Sequence, residues 1–156
     1  AVLHVLHIPM SDFSRGPITQ PPMRIAGQQV AVNICYEDAF GAELAPAAAQ
    51  ATLLANVSNV AWFGDSLAPG QHLQIARMRA LETQRAFISA TNTGITAAID
   101  RDGRVIARLP QFTIGRLDTS VQGYTGLTPY LRWKDTPLIC LLCVGVIALF
   151  VLRDRR

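Results

Sequence analysis

From Thr136 to Leu152 the chain carries no charged side chain, and a run of that kind has few places to go. At about 1.5 Å of rise per residue, a helix built from it reaches roughly 25 Å, slightly less than the roughly 30 Å hydrocarbon core of a bilayer. Slight bilayer thinning, or extension into Tyr130-Leu131-Arg132-Trp133, closes the gap. Tyr130 and Trp133 precede the run and Arg153, Arg155 and Arg156 follow it, as an interfacial aromatic pair and a positive flank would. The expectation is one C-terminal membrane anchor, with a buried core helix as the alternative. Arg132 and Lys134 on the other flank make the charge bias modest. It still favours a C-terminus inside and residues 1–135 outside, which in a bacterium means the periplasm. Cys140 and Cys143 have C-x-x-C spacing, but both fall inside the apolar run. With no acids or histidines beside them they read as small-residue packing and not as a redox or metal motif.

The chain of 156 residues is long enough for one domain with a sizeable core before the anchor. Its 14 basic residues exceed its 11 acidic ones, giving a net charge of +3. The basic residues are scattered, and no stripe of them interleaved with aromatics suggests nucleic acid. The start, Ala1 to Ile8, has no initiator methionine and no positive n-region, so it does not read as a signal peptide and sequence upstream of it is expected. His4 and His7 stand three apart in an apolar stretch, too little to indicate a metal site. Pro9 to Arg24 reads as a loop because of Pro17, Pro21 and Pro22. Within it Phe13 beside Arg15 is either a substrate-facing lip or a rigid surface turn.

The centre of interest is Gln29-Val30-Ala31-Val32-Asn33-Ile34-Cys35-Tyr36-Glu37-Asp38. Val30, Val32 and Ile34 share one face by the period-two rule, and Ala31, Asn33 and Cys35 share the other. Cys35 leaves the strand on its less apolar side. Asp38-Ala39-Phe40-Gly41-Ala42-Glu43-Leu44 can then open a helix ending near Ala45 or Pro46, with Ala47 to Gln50 as a second short piece. A thiol at a strand-to-helix junction meets unpaired N–H groups and a favourable dipole, which suit a nucleophile and can hold an oxyanion. The plain alternative is a cysteine packed as a small hydrophobe.

Further on, Ala51 to Val57 is a nearly continuous apolar run, as expected of a strand covered on both faces. Ser58-Asn59-Val60-Ala61-Trp62-Phe63-Gly64-Asp65 follows it, and polar groups then aromatics at the end of a buried strand mark Asn59, Trp62 and Phe63 as a site rim. Trp62 and Phe63 close the core in the alternative reading. Pro69 to Arg85 reads as the main helix, with Leu73, Ala76, Ala80, Thr83 and Phe87 as its inward stripe. Phe87 to Asn92 returns to extended structure. Ile95 to Ile99 and Arg104 to Leu109 form a hairpin through Asp100-Arg101-Asp102-Gly103. Ile114 to Asp118 supplies a shorter strand, and Gly123 to Pro129 a loop toward the membrane. The order of elements is that of a layered α/β domain.

A cysteine nucleophile needs a base and oxyanion donors. His72 is the one histidine in the expected core, but it lies near a helix start, where the dipole disfavours an imidazolium. Glu37 and Glu82 are the carboxylate candidates, and adjacency alone does not aim Glu37 at the thiol.

Several blocks, taken in order, carry a family resemblance: Met10 to Pro17, Ile34-Cys35-Tyr36-Glu37, Ser58 to Gly64, Gln71 to Glu82 and Ala90-Thr91-Asn92-Thr93-Gly94. Together they resemble the C-terminal part of the bacterial apolipoprotein N-acyltransferase family, membrane-bound members of the carbon-nitrogen hydrolase, or nitrilase, superfamily. The resemblance implies a partial nitrilase-like α-β-β-α sandwich followed by one C-terminal transmembrane helix. The periplasmic part would span 1–135, the helix 136–152 and a cytoplasmic basic tail 153–156, all at the bacterial inner membrane. It implies transfer of an acyl group from a phospholipid donor to the N-terminal amine of a diacylglyceryl-cysteine lipoprotein. Cys35 would carry the acyl thioester, Glu37 would support the site, and Tyr36 and Trp62 would shape it. No metal or diffusible cofactor is required.

The family's glutamate base and its lysine both precede the cysteine, whereas upstream of Cys35 this chain has only Asp12 as an acid and no lysine. The resemblance therefore implies a missing N-terminal part that supplies both. Val60 also stands where the family commonly has aspartate. Two other functions remain open at this point: a nitrilase-type amidase acting on a small soluble amide, and a non-catalytic, membrane-tethered interaction domain.

Overall fold

The structure, a computed structural model, describes residues 16–154. The His4/His7 pair, the Phe13–Arg15 lip, most of the first resemblance block, and Arg155 and Arg156 lie outside the described residues.

Three parallel strands form the centre of the sheet. They are β2 (Gln28–Ile34), β3 (Leu53–Ser58) and β4 (Ala86–Thr91), with Ile34 opposite Val57 and Ser58 opposite Thr91. Parallel neighbours need crossover connections. Helices α1 (Gly41–Ala48) and α2 (Ala68–Thr83) supply them. β1 (Met23–Ile25) adds antiparallel to β2 at one edge, and β5 (Ala97–Ile99) and β6 (Val105–Arg108) add antiparallel beyond β4. The order among the described residues is β1-β2-β3-β4-β5-β6. Two further helices end the chain, α3 (Pro129–Trp133) and α4 (Thr136–Asp154).

The core lies between one sheet face and the helices. Ala31, Leu54, Phe87 and Ile99 of the sheet meet Leu44, Ala45 and Ala48 of α1, Ala76 and Ala80 of α2, and Leu131 of α3. Leu54, Phe87 and Ile99 have no exposed surface, and full burial of such a side chain contributes about 1.5–3 kcal/mol. Four members of the expected inward stripe of the main helix are observed, with Ala76, Ala80 and Thr83 buried and Leu73 packed against the same core, whereas the helix ends at Thr83 and Phe87 reaches that core from β4. The other sheet face is covered only in part, where Val30, Leu53 and Ala86 are buried with Val121 against them. Toward the strand ends that face opens, with Ile34 61% and Val57 48% exposed.

Four local expectations are corrected. Met23–Ile25 is a strand and not loop, joined to β2 by Ala26 and Gly27, both at positive φ (49° and 81°). That is the backbone of a two-residue hairpin turn, written here with an alanine that hides it. Helix α1 continues through Pro46 to Ala48. The ring removes one N–H, and burial of Ala45, Ala47 and Ala48 offsets the loss. Ile114–Asp118 is not a strand, and Ile114 is fully exposed with no neighbouring strand to pair with. Gly123–Thr128 is irregular as expected, but Tyr130–Trp133, read as an extension of the apolar helix, belongs to the separate helix α3, whose cap is Thr128 accepting the Leu131 N–H at 3.1 Å.

The Asp100–Gly103 turn forms as expected, with Gly103 at φ 75° and the Asp100 carboxylate accepting the Asp102 and Arg104 N–H groups at 2.9 and 2.8 Å. The apolar run is helical throughout α4. Thr136–Arg153 has a mean hydropathy of 2.4 and is long and apolar enough to cross a membrane. The helix reaches about 28 Å at 1.5 Å per residue, closer to the hydrocarbon thickness than the bare run alone.

One buried cation ties the base of the sheet to the chain's last segment. Arg85 is 1% exposed and donates to four carbonyls: Ala51 (2.7 Å), Thr83 (3.2 Å), Gln84 (3.3 Å) and Gly126 (2.6 Å). Burial lowers its pKa from the ordinary arginine value. Because carbonyls alone solvate this charge, Arg85→Ala is expected to cost about 3 kcal/mol and to free the Gly126 segment. Thermal unfolding together with proteolysis near Gly126 checks this; an unchanged midpoint and cleavage pattern would contradict it.

Candidate active site

The site is built where the parallel strands end. Ile34 is the last residue of β2, and Cys35 opens a 3-10 turn running Cys35–Ala39. Cys35 takes φ 54°, in the left-handed region. For a residue with a Cβ that conformation costs roughly 1–2 kcal/mol, and such positions persist only where the surroundings enforce them. The thiol is half-buried and not in a disulfide. Cys35 is therefore not packed as a core hydrophobe, because it is half-buried on a sharp turn where the parallel strands end.

Three sets of contacts hold the turn. The Glu37 carboxylate accepts the Ile34 N–H at 2.7 Å, closing the turn back on the strand. Asn56 of β3 donates to the Cys35 carbonyl at 2.6 Å and to the Asn33 side-chain oxygen, while Ser58 donates to Asn56 at 2.5 Å. Asp38, with no exposed surface, faces His72 of α2. His72 Nε2 stands 3.1 Å from Asp38 Oδ1, the aligned hydrogen-bond acceptor, and 3.0 Å from Oδ2, which is a charge contact.

His72 titrates above its ordinary value. The hydrogen bond to Asp38 is the main cause; burial opposes it, and the Asp38 charge and the Cys35 carbonyl reinforce it. A raised histidine pKa means the pair stabilises fully below the unfolded value of about 6.5 and loses that contribution as pH rises through the folded value. The dipole argument against an imidazolium at this helix start is thus overturned by one buried carboxylate.

The expected rim residues fall on the same end of the sheet. The Asn59 side-chain oxygen accepts from Asn92 at 2.7 Å and from the Ala61 N–H at 3.2 Å, and the Asn92 oxygen accepts the Val60 N–H at 3.0 Å. Asn59 thereby shapes the loop after β3. Trp62 donates its indole N–H to the Asn59 carbonyl at 2.9 Å and leaves its ring 72% exposed; Phe63 is 51% exposed. The alternative in which these two rings close the core fails on that exposure. Tyr36 stands edge-on to Phe40 with centroids 5.4 Å apart, and both are exposed. Val60 is buried, against Gly94, where any Cβ would meet its methyl group. Glu82 pairs with Arg79 at 3.0 Å, and burial raises its pKa.

Sequence reasoning missed Asp38, Asn56 and Asn33. A signal existed in the two asparagines interrupting apolar strands near their C-terminal ends, since a buried polar group there must find partners. Asp38 read as a helix opener, and its partner lies 34 residues away. Among the described residues no three His, Cys, Asp or Glu side chains converge as a metal site would require.

The carbon-nitrogen hydrolase family profile matches residues 7–130. The chain is 54% identical over 147 residues to the apolipoprotein N-acyltransferase of Nitrosomonas europaea, covering 94% of this chain and 30% of that one. With the apolipoprotein N-acyltransferase of Ralstonia nicotianae it shares 53% over 158 residues, covering 99% and 30%. Thus the chain spans about 30% of the length of these relatives. Among solved structures, a carbon-nitrogen hydrolase from Helicobacter pylori superposes with a TM-score of 0.57 at 12% identity, over 64% of this chain and 42% of that one. A Nesterenkonia amidase superposes at 0.51 with 24% identity, over 64% and 40%. These likenesses establish a nitrilase-like fold.

The strain at Cys35 has a direct test. Cys35→Gly and Cys35→Ala both remove the thiol, but only glycine adopts φ 54° freely, so the glycine variant is expected to be the more stable by about 1 kcal/mol. Chemical denaturation of the pair measures this, and equal stabilities would mean the turn is unstrained.

Proposed function

Because the chain belongs to the carbon-nitrogen hydrolase family, we propose that it is the C-terminal part of an apolipoprotein N-acyltransferase in which Cys35 carries the acyl group. The observation that carries this reading is the strained turn that presents Cys35 at the end of the parallel strands, in a chain about half identical to proteins of that name.

In the proposed reaction the Cys35 thiolate attacks the ester carbonyl of a phospholipid. A thioester forms and the lysophospholipid alcohol departs with a proton. The N-terminal amine of a diacylglyceryl-cysteine lipoprotein then attacks the thioester, becomes an amide, and returns the sulfur to its thiol form. Glu37 serves by closing the turn on Ile34, and the first N–H groups of a 3-10 turn, free of partners within the turn, are candidate oxyanion donors. Tyr36, Trp62 and Phe63 offer exposed aromatic surface to the acyl chains. The general base and a lysine for the tetrahedral intermediate come from an upstream part of the enzyme, which would also lay a second sheet on the open face around Ile34 and Val57. Helix α4 anchors the domain in the bacterial inner membrane, with residues 1–135 in the periplasm and 153–156 in the cytoplasm. Two substrates that stay in the bilayer then meet the site without leaving it.

The test uses a chimaera in which this chain replaces the corresponding segment of the Nitrosomonas europaea relative. Incubated with phospholipid, the chimaera is expected to gain one acyl mass that neutral hydroxylamine removes and that Cys35→Ala never acquires. The chain by itself is expected to turn over negligibly. A chimaera that folds but never acquires the adduct defeats the proposal. Hydrolysis of small soluble amides without phospholipid would favour an amidase instead.

A further inference from the structure

The acyl-transfer reading leaves one part of the site without a role. Asp38, three residues after Cys35 on the same turn, is wholly buried, and the partner it meets comes from a different element, α2. The His72 side chain is itself 14% exposed. A carboxyl group removed from water this completely costs stability unless a partner answers it. Here His72 Nε2 contacts both oxygens.

The geometry separates two roles for His72. A base for the thiol would turn a ring nitrogen to Sγ and be oriented from behind by a carboxylate. In this structure Nε2 is committed to Asp38, the fourth residue of the turn that Cys35 opens. The Cys35 carbonyl takes the Asn56 amide at 2.6 Å. The two contacts hold the turn near its two ends, and the φ of 54° at Cys35 needs enforcing.

Resting on the acyl-transfer reading, we propose that His72, clamped on the buried Asp38 carboxylate, is a positioning residue that anchors the Cys35 turn to α2 and keeps the nucleophile in its strained conformation. The clamp is tightest with a protonated ring, so it slackens as pH rises through the His72 titration. Few other groups interfere. The cleft around the ring is lined by Val60, Pro69, Leu73, Thr91, Gly94 and Ile95, together with Ser89, and none of these titrates. On the turn itself, Asp38 faces the ring, and the Glu37 carboxylate is directed at the Ile34 N–H.

The experiment uses the chimaera described above, with two readouts. Amide hydrogen exchange by mass spectrometry follows the peptide covering Cys35–Phe40, with the β4 peptide Ala86–Thr91 as internal reference and no substrate present. Thioester formation from phospholipid is timed in parallel. His72→Gln is expected to speed exchange in the turn by about tenfold, leave β4 unchanged, and slow thioester formation by roughly 10–100-fold. The gap between wild type and variant should narrow as pH rises through the His72 titration. Asp38→Asn keeps the ring and the shape and is expected to move both readouts in the same direction, which covers the case in which His72→Gln does not fold. Turn exchange at the wild-type rate in both variants overturns the proposal. So does a His72→Gln chimaera as devoid of thioester as Cys35→Ala with its turn unaltered, since His72 would then be acting as the base. A wild-type chimaera that forms no thioester sinks the acyl-transfer reading alone, and the exchange comparison still decides the clamp.

Discussion

A cysteine at φ 54° is uphill by roughly 1–2 kcal/mol, and the surrounding structure is arranged to hold it there. A neutral hydrogen bond contributes about 1 kcal/mol net and one to a charged group about 1.5–3 kcal/mol. One neutral contact would barely balance the strain. Glu37 on the Ile34 N–H, Asn56 on the Cys35 carbonyl and His72 on Asp38 reach the turn from its own residues, from β3 and from α2 respectively. Restraints from three directions over-determine the backbone, which allows a strained residue to stay ordered.

The helix-covered face of the sheet changes character along the strands. Ala31, Leu54 and Phe87 lie toward its N-terminal end and are buried among alanines and leucines. Two residues further on, Asn33, Asn56 and Ser89 occupy the equivalent rows, also buried, and Asn33 and Asn56 are bonded to each other. An all-apolar row would be the easier core. The polar row instead delivers a donor to the Cys35 carbonyl, and buried networks of this kind rigidify only if their members are satisfied. The Asn33 amide nitrogen has no partner among the described residues, so burial of this row carries a cost that the donor to the Cys35 carbonyl explains and core packing does not.

Much of this was legible in the chain. β2 follows from period-two patterning and most of the inward stripe of α2 from the period of 3.6, β3 and α4 from their apolar runs, and the Asp100–Gly103 turn from its residue types, and such patterns survive because burial and turn geometry enforce them. What escaped was set by contacts distant in sequence or by backbone states the residue type conceals. Ala26 holds a positive φ that glycine or asparagine would have advertised. Pro46 stays helical because its neighbours are buried. At the site, Cys35 and the aromatic rim stood out by residue type, whereas Asp38 looked like a helix opener until α2 brought His72 to it. The positive φ of Cys35 is likewise a product of the fold, since β2 must end and turn within one residue.

The same reasoning extends to α4, the anchor in the proposed reading. A helix joined to a domain by a slack linker would leave the site's height above a membrane undefined, but the segment before α4 is fixed at several points. Arg85 grips the Gly126 carbonyl, Thr128 both bonds the Glu82 carbonyl at 2.7 Å and caps α3, and Leu131 is buried in the core. The Arg79 guanidinium lies 6.0 Å from the Tyr130 ring, and Gly41 leaves room for both, since any Cβ there would collide with them. The Arg79 and Glu82 contacts come from α2, the helix that also supplies His72, and Arg85 follows its end. One helix therefore meets the Cys35 turn near its start and the α3 segment near its end, so the position of Cys35 relative to α3 is set by the length of a helix and not by a loop.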